Sequence, residues 1–312
     1  MKNIVLLIIL LFNFKIAHSQ TDEIGKITIS TIMPDNVDGL SKSNLSKLET
    51  KITQILTSNG IGSIGYNNNF AVYPVIEIYE TKPIEGGMEN LLLINCQLNL
   101  FLKNLNNNLI FASIDKPLSG IGRDKQSALS NAISKIKVND TDLQAFVQNG
   151  KTKIIGYYEA NCQDLINESE ICLKKQEFEK ALGLLMAVPA EVSCYKKLQE
   201  KSIDVYKAYQ NQKCITQLQE AKAQLALNNY SGALNILGQI DPSTSCFKES
   251  QSLMTSAANK VAAEEKKQWD EKMKSYNDNI TLEKQRIEAA KEIAVAYYRS
   301  KPATINYSTI IK

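Results

Sequence analysis

Two stretches of the chain repeat each other at a spacing of 52 residues, without a gap. The cysteines repeat, since Cys162 matches Cys214 and Cys194 matches Cys246. The other identical or conservatively exchanged pairs are Glu168/Glu220, Leu173/Leu225, Phe178/Tyr230, Ala181/Ala233, Leu182/Leu234, Leu185/Leu237, Val188/Ile240, Ser193/Ser245 and Tyr195/Phe247. Because apolar, small and cysteine positions match together, we infer that one packed helical unit was duplicated. Such repeats usually build surfaces for partners.

Three helices are predicted within each copy. The second helix begins with an aromatic residue after a tight turn and ends near a proline, which cannot continue a helix. In the first copy, the first helix is predicted at 161–175, the second begins at Phe178 and ends near Pro189, and the third begins near Cys194. In the second copy, the first helix is predicted at 213–228, the second begins at Tyr230 and ends near Asp241–Pro242, and the third begins near Cys246.

The first two helices of each copy resemble a tetratricopeptide hairpin. The resemblance rests on the aromatic residue that opens the second helix, on the following Ala–Leu pair and on a leucine one turn later: Phe178, Ala181, Leu182 and Leu185 in the first copy and Tyr230, Ala233, Leu234 and Leu237 in the second. The repeat is longer than the 34 residues of that family, and the family's first-helix tryptophan and glycine are missing. The resemblance therefore implies tetratricopeptide-like packing and transfers no peptide-binding groove.

Six cysteines divide into two predicted disulfides and two further thiols. In an up-down-up trio of helices, the start of the first helix lies beside the start of the third, so we expect Cys162 to pair with Cys194 and Cys214 with Cys246. Each bridge would contribute about 3–4 kcal/mol by loop closure. Cys96 and Cys172 are either core thiols or a third bridge.

The amino terminus has the pattern of a signal peptide over residues 1–19. Lys2 precedes a short apolar run, and Ala17 and Ser19 place small residues at the cleavage-site positions. We therefore expect an exported protein, periplasmic or extracellular and associated with the cell envelope, with no transmembrane segment after cleavage. The only histidine, His18, would be removed.

Several functional classes lose support with that cleavage. Without histidine the chain has neither Ser-His-Asp nor Cys-His catalysis and no imidazole ligand for zinc. Removing Lys2 and Lys15 leaves 34 basic residues against 33 acidic ones, which gives no electrostatic case for nucleic acid. The sequence accordingly indicates no catalytic residue, no cofactor-binding residue and no metal ligand.

Residues 20–155 have mixed α/β signals, in the order strand, helix, three strands, helix. The clearest strand alternates apolar and polar side chains from Ile94 to Leu102. A loop is predicted at Ser119–Gly122, before the second helix. The element order resembles the small α/β domains of the curli secretion protein and of periplasmic activators of peptidoglycan synthases. The segment Gly120–Ala128 also looks like one from another envelope-lipoprotein family.

The predicted fold class is α+β, with a small N-terminal α/β sandwich followed by an all-α repeat domain and a long C-terminal helix. The predicted units are the signal peptide 1–19, the α/β domain 20–155, the duplicated helices 156–262, a coiled-coil-like helix 263–300 and an extended tail 301–312. The long helix either folds back on the repeats, which we prefer, or pairs with a partner chain or a second copy.

These features lead us to expect a non-enzymatic cell-envelope scaffold that presents disulfide-linked repeats to a protein partner. The alternative is a small-ligand or glycan-binding module in the α/β domain. A third interpretation is an enzyme that works without histidine chemistry.

Overall fold

The computed structural model describes residues 26–34, 39–63, 69–85, 90–261 and 279–300. The predicted signal peptide, the first part of the predicted long helix and the tail 301–312 lie outside these residues. In chain order the elements are β1 Ile29–Thr31, α1 Lys42–Ser58, β2 Gly62–Ser63, β3 Phe70–Ile84, β4 Leu91–Asn104, β5 Ile110–Gly122, α2 Lys125–Ser134, α3 Thr141–Lys174, α4 Phe178–Met186, α5 Tyr195–Ala226, α6 Tyr230–Leu237, α7 Phe247–Ala258 and α8 Asn279–Ser300. The predicted α+β class is confirmed.

The strands form one sheet in the order β2-β1-β3-β4-β5. β1 runs parallel to β2 and to β3, whereas β4 pairs antiparallel with both β3 and β5. β1 pairs only with Phe70–Val72 of β3. Pro74 lies beyond the segment paired with β1, and no described strand pairs with it on that side, so its missing N–H costs no ladder hydrogen bond there.

Helices cover one face of this sheet. The inward residues of β4, from Ile94 through Cys96 to Leu102, are at most 1% exposed and pack in the same cluster as α1, α2 and α3. On the opposite face Tyr73 and Ala71 centre a much smaller apolar cluster. The sheet and its helices thus form two layers, and the face of the sheet opposite the helices is largely open to solvent.

The loop predicted at Ser119–Gly122 is wrong, because β5 continues to Gly122 and pairs with β4 throughout. The glycines serve close packing instead of a turn. A Cβ added at Gly120 would overlap the Ala128 carbonyl oxygen and the Ala132 nitrogen of α2. Glycine at these positions lets the helix backbone approach the strand closely.

The helical region begins earlier than predicted, with α3 at Thr141. The Asp140 side chain caps this helix by accepting from the Asp142 and Leu143 amides. Buried residues then recur at helical spacing, which was the missed sequence signal: Leu143, Phe146, Val147, Gly150, Ile154 and Tyr158. The boundary predicted at 155/156 falls inside α3, and one hydrophobic core extends from the sheet into the first copy.

The third helix of the first copy and the first helix of the second copy are one helix, α5, and not two as predicted. No glycine or proline occurs between Tyr195 and Ala226, so nothing in the sequence interrupts the helix. Its first half joins the main core through Leu198 and Val205. Its second half belongs to a separate core around Cys214 and Leu218.

Two glycine variants test the close approach of α2 to β5. We expect Gly120→Ala to lower the free energy of unfolding by about 1–3 kcal/mol, because the new Cβ has no space beside Ala128. The control is Gly156→Ala on α3, where an added Cβ meets nothing within 4 Å. That variant should raise stability by about 0.5–1 kcal/mol through helix propensity. Urea unfolding measures both, and equal effects would contradict the packing argument.

Candidate functional site

In each copy, a disulfide joins the first helix to the N-terminus of the third. Cys162 of α3 is bonded to Cys194, and Cys214 of α5 is bonded to Cys246, with Cα–Cα distances of 6.5 and 6.2 Å. Cys194 and Cys246 are the N-cap residues of α5 and α7, and neither makes a side-chain cap hydrogen bond. A covalent bridge thus occupies the position where helices usually have a polar cap.

A side-chain hydrogen bond lies next to each disulfide and joins the same two helices. The Glu159 carboxylate accepts from the Ser193 amide at 2.6 Å, and the Asn211 side chain accepts from the Ser245 amide at 2.8 Å. These contacts are 52 residues apart, three residues before the cysteine in each copy. Hydrogen bonds from Ser193 lower the pKa of Glu159, which keeps that carboxylate ionised. These two contacts were not predicted from the sequence, because the acceptor residues differ between the copies: Glu159 in the first corresponds to Asn211 in the second.

The two copies differ where α4 and α6 begin. Both turns contain a left-handed residue, Gln176 with φ 61° and Asn228 with φ 58°. In the second copy the Asn229 side chain caps α6 by accepting from the Gly232 amide at 3.0 Å. The equivalent Glu177 makes no cap hydrogen bond. The first copy therefore lacks a contact typically worth about 1 kcal/mol.

A cavity of about 340 Å³ lies beside this uncapped turn, between α4, α5 and α8. Its lining residues are Gln176, Glu177, Phe178, Glu179, Lys180, Tyr209, Gln212 and Tyr297. The rings of Phe178 and Tyr209 lie 5.5 Å apart at an interplanar angle of 39°. The Gln212 amide donates to the Gln176 side-chain oxygen at 3.0 Å. The cavity is therefore lined on one side by aromatic rings, and a side-chain amide hydrogen bond joins α5 to the turn before α4.

Some charged groups of the cavity lie near an opposite charge, and others do not. The Lys180 ammonium lies 3.8 Å from Glu177 and 3.9 Å from Glu168, loose ion pairs to two carboxylates. Within the described part of the chain, the Glu179 carboxylate receives only the Tyr209 hydroxyl, at 3.5 Å. The ammonium of Lys213 lies 4.7 Å from the centre of the Tyr209 ring. Glu179 is thus a carboxylate without a cationic partner among the described residues.

Helix α8 folds back over both copies. Its Arg286 forms a bidentate ion pair with Asp241 of the second copy, at 2.8 and 3.1 Å. Tyr297 and Tyr298 lie against Gly183 of the first copy, where an added Cβ would come within 3.0 and 3.1 Å of their rings. Burial strongly opposes ionisation of Asp241, but hydrogen bonds from Arg286 and Ser243 lower its pKa overall.

The remaining cysteines, Cys96 and Cys172, are free thiols with side chains at most 1% exposed. Cys96 packs between the sheet and its helices, and Cys172 packs near the end of α3. Burial raises the pKa of both thiols. They are therefore protonated and inaccessible, and the third bridge considered from the sequence is not formed in this structure.

Among the described residues, no three histidine, cysteine or carboxylate side chains are grouped as a cation site. None of the helices described is both long enough and apolar enough to cross a membrane.

Comparisons with known proteins yield no family. No family model and no curated protein matches the chain. Solved structures similar to it include a minor lipoprotein from Acinetobacter baumannii, with 14% identity, a TM-score of 0.23, and coverage of 41% of this chain and 91% of that one. A putative lipoprotein from Caulobacter crescentus CB15 has 11% identity, a TM-score of 0.22, and coverage of 40% and 82%. With TM-scores this low, neither similarity assigns a function, and the tetratricopeptide resemblance stays a prediction.

Thiol labelling separates the two classes of cysteine. Iodoacetamide should modify no cysteine in the folded, unreduced protein, because the free thiols are buried and the others are bonded. Denaturation without a reductant should expose two sites, Cys96 and Cys172, and reduction should expose the other four as well. Peptide mass spectrometry measures this. Failure to label Cys96 and Cys172 after denaturation would indicate the third bridge.

The Arg286–Asp241 pair should make stability depend on pH. The folded state lowers the pKa of Asp241 below its ordinary value of 3.8, so the pair stabilises the fold above that value. This contribution is lost as pH falls from about 3.8 toward the folded-state pKa. At neutral pH, Arg286→Met should lower the free energy of unfolding by about 2 kcal/mol, because it removes charge-assisted hydrogen bonds from a mostly buried carboxylate.

Urea unfolding at neutral and acidic pH measures that difference. The gap between the wild-type protein and Arg286→Met should narrow below pH 3.8. Asp164→Asn is the matched control, since Asp164 is exposed and has no ion pair among the described residues. A gap that stays constant with pH would show that Arg286 contributes packing alone.

Proposed function

We propose that the protein is a non-enzymatic, exported scaffold of the cell envelope, which presents its helical repeats to a protein partner. The observation that carries this proposal is a pair of contacts repeated in both copies, a disulfide and a side-chain hydrogen bond that join the first helix of the copy to the start of the third. Disulfides persist in oxidising compartments, so two of them are compatible with an exported protein.

Rigidity is the mechanism of the proposed scaffold. Binding costs free energy when side chains and helices must be ordered at an interface. Helices that are already joined covalently at Cys162–Cys194 and Cys214–Cys246 have less freedom to lose. A surface fixed in this way binds a protein partner with a smaller ordering cost, which requires no catalytic group.

Cross-linking in the native envelope tests the scaffold. The tagged full-length protein is cross-linked, purified and analysed for proteins recovered in fixed ratio to it. We expect a stoichiometric partner whose recovery falls in the double variant Cys214→Ser/Cys246→Ser, because that variant loosens the separate core of the second copy. The control is Cys96→Ala, a small change at a free thiol in the sheet.

Two results would contradict this proposal. The protein recovered alone, at every cross-linker concentration, would count against any stable partner. If the partner is recovered in equal amounts with the double cysteine variant and with the control, the bridged second copy is not part of the contact surface.

Small-ligand or glycan binding by the α/β domain is the second candidate function. It is supported by a cavity of about 670 Å³ at the β1–β2 edge, lined largely by hydroxyls: Thr31, Glu49, Thr50, Thr53, Gln54, Thr57, Ser58, Ser63 and Val138. The hydroxyls of Thr50, Thr57 and Ser58 donate to carbonyls of their own helix, so they offer acceptors outward. Acceptors of this kind suit a ligand rich in hydroxyl donors.

A neutral-oligosaccharide array tests the second candidate with the full-length chain. Retention that is saturable and is lost in Thr53→Val, a change of nearly constant volume, would support a glycan site. The absence of retention, or retention unchanged by Thr53→Val, would contradict it.

A further inference from the structure

We propose that the cavity between α4, α5 and α8 binds an arginine side chain of the partner protein. The inference rests on the proposed scaffold function and names the chemistry that one of its contacts recognises. It is carried by an uncompensated carboxylate, an aromatic wall and a difference between the copies.

The carboxylate of Glu179 supplies the negative charge. Its neighbour Glu177 is already compensated by Lys180, at 3.8 Å, whereas Glu179 has only the Tyr209 hydroxyl at 3.5 Å among the described residues. A guanidinium in the cavity would form a charge-assisted hydrogen bond with Glu179, and such bonds are about twice as strong as neutral ones.

The rings of Phe178 and Tyr209 supply the wall. They lie 5.5 Å apart at the cavity, and Tyr209 already has the ammonium of Lys213 at 4.7 Å from its centre. A planar guanidinium stacks on aromatic faces better than a compact, strongly hydrated ammonium, so arginine is the favoured partner side chain.

Comparison of the copies indicates that folding does not require the charged residues at the cavity. The second copy has Asn229, Ser231 and Gly232 at the positions of Glu177, Glu179 and Lys180. It forms the same turn and a short helix with a proper cap. The first copy lacks the cap and has three charged residues in its place. Charged side chains that the architecture does not need, clustered at a cavity, are consistent with ligand recognition.

A free arginine derivative tests the cavity without the partner. The full-length protein, labelled with ¹⁵N, is titrated with N-acetyl-arginine amide and followed by amide chemical shifts. We expect saturable shifts centred on Phe178 and Tyr209, with millimolar affinity, because one charged pair and one stacked ring are engaged. N-acetyl-citrulline amide, which has nearly the same shape without the charge, should produce no saturable shift.

Two variants assign the charge. Glu179→Gln should weaken arginine binding about tenfold, since it removes one charge-assisted hydrogen bond. Glu220→Gln is the matched control, because Glu220 is an exposed carboxylate on α5 outside the cavity, and it should leave binding unchanged. Both side chains are exposed, so an unaltered amide spectrum elsewhere verifies that each variant is folded.

Three outcomes would overturn the cavity proposal: no saturable shift with the arginine derivative, equal shifts with the citrulline derivative, or unchanged affinity in Glu179→Gln. None of them depends on partner capture. A partner recovered by cross-linking together with a negative titration would therefore leave the scaffold in place and reject this contact alone.

Discussion

The continuity of the two long helices is the constraint on which the rest of the structure depends. α3 begins against the sheet and ends in the first copy, and α5 begins in the first copy and ends in the second. α5 also provides one cysteine to each bridge, Cys194 and Cys214, about 30 Å apart along the helix at 1.5 Å per residue. A break in α3 would remove the helix shared by the sheet and the first copy, and a break in α5 would remove the helix shared by the two copies.

Duplication provides an internal comparison of what the architecture needs. The two bridges, the side-chain ties to Ser193 and Ser245, and the left-handed turns recur at the same spacing. These shared features set the shape of the unit. The cap of the short helix differs, since Asn229 forms it in the second copy and Glu177 does not in the first. The shape of the unit therefore does not depend on this cap.

Sequence patterns predicted the elements more successfully than their limits. The alternation in β4 and the buried face of α2 followed directly from side-chain periodicity, and the spacing of the cysteines matched the bonded pairs of the structure. The loop at Ser119–Gly122 was wrong because glycine indicates turns and close packing equally, and only the position of α2 distinguishes them. The halves of α5 were separated because the cysteines divided the sequence into copies, whereas the backbone continues across that division.

The candidate site was less predictable than the fold because its residues meet only in three dimensions. Glu179 and Tyr209 belong to different helices, and Tyr297 approaches them from α8, which is distant in the sequence. Periodicity assigns such residues to exposed helix faces and does not indicate which faces meet. The internal match was informative only for the shared residues, and the charged residues of the cavity, Glu177, Glu179 and Lys180, are not shared by the copies.

α8 adds a connection between the copies that is independent of α5. Arg286 contacts Asp241 in the second copy, and Tyr297, eleven residues later, contacts Gly183 in the first. That separation spans about 16 Å of helix. A single shared helix leaves two repeats free to bend relative to one another, whereas a second helix attached to both restricts that bending. Because the cavity lies between α5 and α8, its shape depends on both attachments, and the rigidity of the proposed scaffold would therefore also fix the geometry of the candidate site.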